Sequence, residues 1–189
     1  MQEFIDGYIA RHQSVLAQLA GCASDIEMMA HTCITALESG HKLLICGNGG
    51  SAADAQHMAA ELVGRFIADR PALAAIALTT DTSALTAIAN DYGYEDVFSR
   101  QVAGLAKSDD VLLAISTSGQ SASVLAACDT ARSLGCKVLG LSGRDGGALK
   151  EACDAIVVAP ATETAHIQEC HIVVIHLLCG LIEKGLGLA

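Results

Sequence analysis

Aromatic residues, basic clusters and paired cysteines are what this chain of 189 residues is short of, and each shortage narrows what it can be. With no tryptophan and 3% aromatics against 52% hydrophobic residues, the core has to be built from alanine, leucine, isoleucine and valine. So much alanine suits close helix packing, including packing between subunits. Eleven Lys and Arg against 21 Asp and Glu leave a net charge of −10, with no basic cluster. A nucleic-acid surface needs positive charge to neutralise phosphates, so that class is excluded, whereas a small anionic ligand is not. The eight cysteines form no Cys-x-x-Cys pair and lie mostly in apolar segments. That is the pattern of reduced, buried thiols rather than of a disulfide frame or a zinc finger. Residues 1–6 lack the basic and apolar regions of a signal peptide, and no run reaches the roughly 18 apolar residues of a membrane span. The expectation is a soluble, cytoplasmic protein with neither nucleic-acid nor membrane partner. Its length fits one domain, 1–189, that buries about 70% of its unfolded surface, and no repeat or linker divides it.

What is present is organised around one stretch. Lys42 to Cys46 is a short apolar run, Gly47-Asn48-Gly49-Gly50-Ser51 is a glycine turn, and the alanine-rich segment to about Gly64 has high helix propensity. A helix start leaves backbone N–H groups unpaired at the positive end of the dipole, so a phosphate fits against this turn. Upstream, Phe4 to Leu19 has helical spacing, and Ser24-Asp25-Ile26-Glu27 reads as a capping box opening a second helix that stops at Gly40. A minimal α/β unit does not need this pair, so residues 1–40 are expected to pack against another subunit. Downstream, strands are expected over 74–78, 111–115, 137–141 and 155–158, alternating with helices over 83–89, 96–105, 121–131 and 162–186. Continuous apolar strands between helices indicate a doubly wound, five-stranded parallel sheet of flavodoxin-like type, with ligands bound beyond the strands' carboxyl ends.

Two turns and two helices carry the chemistry. Gly47-x-Gly49-x-x-Ala52 formally matches the dinucleotide fingerprint, but the nearest acidic ribose partner, Asp81, lies well past the usual spacing of about twenty residues. The lysine of a P-loop is missing, and a tight turn without a ligand remains an alternative. Ser116-Thr117-Ser118-Gly119-Gln120-Ser121 holds four hydroxyls between a strand and a helix start, more than capping requires, which favours a lysine-free phosphate cradle. His57 and Glu61 are i and i+4 on one helix face, either an ordinary surface pair or, with Ala59, Ala60 and Leu62 alongside, an ionisable pair in a mostly buried helix. Gln168, His171 and His176 interrupt the apolar last helix, and for each histidine a core imidazole bonded to a carbonyl is the plain alternative. Gln168 and His176 differ by about 80° around the helix and about 12 Å along it, so they flank a groove rather than touch. Imidazole, carboxylate and amide oxygen make His57, Glu61, Gln168 and His176 a candidate zinc set.

Gly47 to His57, Glu61-x-x-Gly64-Arg65-Phe66, Thr86 to Asp91, Ser116 to Ser121 and Ile167-Gln168-Glu169-x-His171-x-x-x-x-His176 together resemble the phosphoheptose isomerases of the sugar isomerase (SIS) domain family, over essentially the whole chain. The resemblance implies conversion of D-sedoheptulose 7-phosphate to D-glycero-D-manno-heptose 7-phosphate, an early step towards lipopolysaccharide heptose. It also implies a homotetramer with sites between subunits, and Zn2+. Carried over by position, Glu61 and His176 match the catalytic pair, and His57, Glu61, Gln168 and His176 the metal set. Asn48, Gly49, Gly50, Ser51, Glu61, Arg65, Asn90, Asp91, Ser116, Thr117, Ser118, Ser121 and Gln168 match the substrate contacts. An enediol isomerisation needs a base at carbon and an acid/base at oxygen, which suits a carboxylate and an imidazole. A non-enzymatic relative that binds the bacterial replication initiator DnaA shares the fold but lacks the Glu61 and His176 counterparts. Their presence here favours the enzyme over that regulator, with another phosphosugar isomerase as the remaining alternative.

Overall fold

A computed structural model describes residues 1–189. Five parallel strands, β1 (Leu43–Gly47), β2 (Ala75–Ala77), β3 (Val111–Ser116), β4 (Lys137–Gly143) and β5 (Ala155–Ala159), form one sheet in the order β2-β1-β3-β4-β5. This is the expected doubly wound α/β sheet. Its strand order reverses between β1 and β3, which puts the crevice beyond their carboxyl ends, where such sheets bind ligands.

Register explains why the central strands are apolar on both faces. Ile45 lies beside Leu113 and Leu113 beside Leu139, and all three point to one face, while Leu44, Leu112 and Val138 point to the other. The first face is covered by α2 (Ala23–Glu38), α3 (Gly50–Val63) and α8 (Thr164–Gly185), through residues such as Met29, Cys33, Met58, Leu62, Val174 and Leu178. The second is covered by α4 (Thr82–Asp91), α5 (Ser99–Leu105), α6 (Ala122–Ser133) and the single-turn α7 (Leu149–Ala152). Each fully buried Leu or Ile contributes about 1.5–3 kcal/mol, so two packed faces hold the fold without tryptophan. By length and apolarity α8 could span a membrane. Half of that stretch is instead buried in the fold, as the core helix of the domain.

The capping box expected at Ser24 does not form. The first helix, α1 (Gln2–Leu19), runs through a 3-10 turn (Ala20–Cys22) into α2, and neither Cys22 nor any other side chain caps α2. With the chain still helical there, the turn's own backbone bonds replace those of a cap. On α1 only Leu19 is buried, and Phe4, Ile5, Ile9 and Leu16 face solvent, so its apolar stripe finds no cover within one chain. All eight cysteines are free thiols, six of them buried, and burial pushes Cys33 and Cys179 up to about 12.

His171 shows the plain reading of a core histidine. Its Nε2–H donates to the Ser142 carbonyl at 2.9 Å, Nδ1 has no partner, and burial lowers its pKa to about 4. The unfolded chain, with a histidine near 6.5, then binds the extra proton first as the pH falls. Stability contributed by the neutral ring is therefore complete above about pH 6.5 and lost progressively down to about pH 4, a difference of roughly 3 kcal/mol. Urea unfolding from pH 7.5 to 4.5 should show this slope, and His171→Gln should flatten it; an unchanged slope in the variant would assign the acid sensitivity elsewhere.

Candidate active site

The two turns expected to hold phosphate meet at the crevice. Asn48, Ser51, Ser116, Thr117, Ser118, Ser121 and Gln168 line one polar cavity of about 180 Å³. Gly49 adopts φ +57°, open mainly to glycine, so that the chain can leave β1 and enter α3 within one turn. Gly50 is needed for space, because a Cβ there would lie 2.3 Å from Nε2 of Gln168, which arrives from α8. Asn48 ties the turns together: its Nδ2 donates to Ser121 Oγ (2.8 Å) and Ser123 Oγ (3.0 Å), and its Oδ1 accepts from the Tyr94 hydroxyl (2.8 Å). Ser121 stands at the N-cap of α6 but its side chain caps nothing, which leaves the hydroxyl to this network. Ser118 Oγ accepts from the Gln120 N–H (3.2 Å) and shapes the turn. Hydroxyls and helix N–H groups thus converge without a lysine, a surface suited to a phosphate's oxygens.

A second cluster lies along α3 and α8. His57 Nε2 is 3.2 Å from Glu61 Oε1, an ion-pair distance on its own helix, and 3.1 Å from Nε2 of His176, an imidazole 119 residues away, with which it shares one hydrogen bond. Phe66 stacks on His176, with centroids 5.6 Å apart and planes at 21°. The loop bearing Phe66 is strapped down from the far end of α8. Glu183, buried there, accepts from the Phe66, Ile67 and Ala68 N–H groups (3.1 Å each) and from Arg70 Nε (2.8 Å). Arg70 in turn donates to the Glu61 and Leu62 carbonyls, both at 2.8 Å. Burial works to raise the Glu183 carboxyl, but the backbone donors and the guanidinium outweigh it and hold it below the usual range.

Not every expected residue is gathered within one chain. Gln168 lies in the polar cavity, apart from His57, Glu61 and His176, because two turns of α8 separate it from His176. Arg65 is exposed on the loop after α3, and Asn90 and Asp91 are exposed at the end of α4, where Asn90 Nδ2 donates to Asp91 Oδ1 (2.8 Å). The His57 side chain is 42% exposed and that of Glu61 25%, so this face of α3 is less buried than its alanines suggest.

A His/Glu group able to hold a metal ion does form, at His12, His166 and Glu169, whose ligand atoms lie within 4.8 Å of one another. Here both imidazole Nδ1 atoms stand 2.7 Å from Glu169 Oε2, and Tyr8 donates to Oε1. His166 and Glu169 are an i, i+3 pair on α8, but nothing in the sequence brings in His12, 157 residues from Glu169. Tyr94, Ser123, Arg70 and Glu183 were missed for the same reason. Asp54 could have been found, one turn before His57 on the same face: its Oδ2 has no partner, and burial pushes its carboxyl up to about 6 against the pull of His57.

Comparison with known proteins places this geometry in context. The SIS domain model matches residues 7–143. The phosphoheptose isomerase of Nitratiruptor sp. is 52% identical over 186 residues, covering 98% of this chain and all of that protein. The solved phosphoheptose isomerases of Neisseria gonorrhoeae and Francisella tularensis superpose with TM-scores of 0.92 and 0.94 at 43% and 38% identity, each covering 97% of this chain and 98% of the other.

Gly50→Ala separates the cradle from the fold. The clash falls on the end of a flexible glutamine, so stability should change by less than about 1 kcal/mol while Gln168 leaves the cavity. Calorimetry with inorganic phosphate should then show binding at the cavity weakened about tenfold, or ~1.4 kcal/mol. Unchanged affinity would mean that Gln168 does not shape the cradle.

Proposed function

The chain belongs to the SIS domain family, and within it to the phosphoheptose isomerases, and from that premise we propose that it converts D-sedoheptulose 7-phosphate to D-glycero-D-manno-heptose 7-phosphate. The product feeds the nucleotide-activated heptose of lipopolysaccharide core. The observation that carries the reading is the His57 ring set between Glu61 and His176, on the helix whose earlier turn sends Gln168 into a hydroxyl-lined cavity. A phosphate held by Ser51, Ser116, Thr117, Ser118 and Ser121, at the mouth of Asn48, Gly49 and Gly50, leaves the sugar to extend along α8 towards His176. The axial distance from Gln168 is about 12 Å, within reach of an extended seven-carbon chain.

Chemistry then divides between two side chains. Glu61 takes the C1 proton and returns it to C2, while His176 gives a proton to O2 and removes one from O1, so the enediol forms and collapses without net loss of protons. His57 lies against both partners and positions them. Arg65, Asn90 and Asp91 complete the grip on the sugar once a second copy closes the site, which is why one chain leaves them at the surface.

Two imidazoles and a carboxylate, with His57 against both Glu61 and His176, are a zinc-type donor set, and His57, Glu61, Gln168 and His176 would hold Zn2+, Glu61 changing between ligand and base during turnover. When bound, the ion acts as a Lewis acid towards the sugar's hydroxyl and carbonyl oxygens. A homotetramer in the cytoplasm is the setting we propose, with residues 1–189 as one SIS unit. Supporting it, Phe4, Ile5 and Ile9 of the 1–40 pair and Val63, Ile67 and Leu177 beside His176 are exposed apolar groups awaiting a neighbour.

Glu61→Gln and His176→Gln should each lower kcat at least a hundredfold on sedoheptulose 7-phosphate with melting temperature preserved, since acid/base groups supply about 10²–10⁴ in rate. Wild-type rates in both would reject the assignment. Treatment with a chelator should lower activity or melting temperature, and zinc should restore it; indifference to both would remove the metal from the account.

A further inference from the structure

About 10 Å before His176 along α8, a second set of metal-type donors comes together at the seam between α8 and α1. His12 reaches across from α1, His166 and Glu169 stand one turn apart on α8, and their ligand atoms lie within 4.8 Å of one another. The group shares no residue with the candidate active site. Both imidazole Nδ1 atoms face Glu169 Oε2 at 2.7 Å, so two rings and a carboxylate oxygen converge on one point instead of pairing off.

Without an ion, that convergence leaves a buried nitrogen stranded. A carboxylate oxygen only accepts, so in the neutral His166 ring the proton sits on Nδ1. Nε2 is then buried with no partner, and Glu163 Oε2 stands 3.7 Å from it, two acceptors with no hydrogen between them. A metal ion on Nδ1 reverses the tautomer. The neutral ring then keeps its hydrogen on Nε2, and that N–H points at Glu163, the arrangement in which a carboxylate behind a ligating histidine fixes its orientation. One ion thus engages the converging lone pairs and gives the stranded nitrogen a donor role.

The neighbours fit the same occupant. Tyr8 donates to Glu169 Oε1, and this bond raises the pKa of the phenol, so Tyr8 stays protonated and orients the carboxylate rather than joining the ligands. Burial works to raise the Glu169 carboxyl, but the bonds from His166, Tyr8 and His12 outweigh it and hold it below the usual range. His12 and Glu169 are partly exposed and His166 is buried, so the site has an open side through which an ion and a completing water enter. A chain of net charge −10 favours a cation there.

We infer that His12, His166 and Glu169 form a second divalent-metal site, of the zinc class, that pins α1 to the start of α8. Two imidazoles and a carboxylate with one open position suit Zn2+, whereas Mg2+ and Ca2+ prefer oxygen ligands throughout. On α1 only Leu19 is buried, so a cross-link through His12 adds hold where packing is thin.

Zinc counted by mass spectrometry, after the stripped full-length protein is dialysed against Zn2+, tests the site. The His57→Ala/His176→Ala variant, which disarms the other donor set, should retain one equivalent per chain. Adding His12→Ala or Glu169→Gln to it should weaken that equivalent at least tenfold. Glutamine keeps the shape of the side chain, and unchanged circular dichroism shows that the loss is not a failure to fold. Co2+ in place of zinc should give the visible absorption of a low-coordinate site in the background variant and lose it with His12→Ala. An equivalent retained in either addition, or none in the His57→Ala/His176→Ala background, overturns the inference and leaves Glu169 a hydrogen-bonded hub only. Zinc at the candidate active site is read separately, as the difference between wild type and His57→Ala/His176→Ala, so each site can fail alone.

Discussion

Much of the molecule depends on one buried carboxylate. Glu183, near the end of the last helix, collects three successive backbone N–H groups and the Arg70 guanidinium in a place where both side chains are 1% exposed. A carboxylate left unpaired there would cost several kcal/mol, and breaking such a pair typically costs 3–5 kcal/mol, so the loop after α3 has little freedom to lift. Through Arg70 the same clamp reaches the Glu61 carbonyl, and through Phe66 it sets an aromatic face against His176. Two helices from opposite ends of the chain are thereby locked in register, and with them a carboxylate and two imidazoles. Charge buried at the base of the structure becomes geometry at its surface.

The other end of the site is fixed by the sheet. Since the strand order reverses between β1 and β3, the turns that follow these two strands face each other across one crevice, and Asn48 stitches them with hydrogen bonds to Ser121 and Ser123. A mostly apolar sheet holds the hydroxyl-lined cavity, and α8 runs from that cavity to the His57, Glu61 and His176 cluster. The architecture sets a hydroxyl-lined cavity at the switch point and a carboxylate with two imidazoles two turns of helix away. The exposed apolar groups on α1 and beside His176 extend the same logic beyond one chain, because the open side of the acid–base cluster is also the side that lacks cover.

Most of the architecture was legible because period and apolarity were unambiguous. Strand β3, buried at all six positions, and α3, with its alanine and glycine punctuation, leave few alternatives. That the hydroxyls gather at one cavity was legible too, since four hydroxyls in six residues exceed any capping need. What could not be read were partners brought together by tertiary packing: Tyr94 to Asn48, His12 to Glu169, Arg70 to Glu183. Glu183 in particular looks like a surface charge at a helix end, and nothing local says that a distant loop will offer it three N–H groups. Ser24 misled for the opposite reason, as a good local cap signal was made redundant when the chain stayed helical through residues 20–22. Local chemistry fixes elements; the pairings that aim the candidate acid–base groups are long-range.

The central claim is that Glu61 carries a proton between neighbouring carbons of a sugar gripped by its phosphate. Running the isomerisation in D2O and reading the aldose product by NMR tests this most directly, because a carboxylate that holds the proton between steps exchanges it with solvent. The account predicts deuterium at C2 of the heptose phosphate. Product formed at full rate with no deuterium at that carbon would mean that hydrogen passes directly between the carbons, and would contradict it.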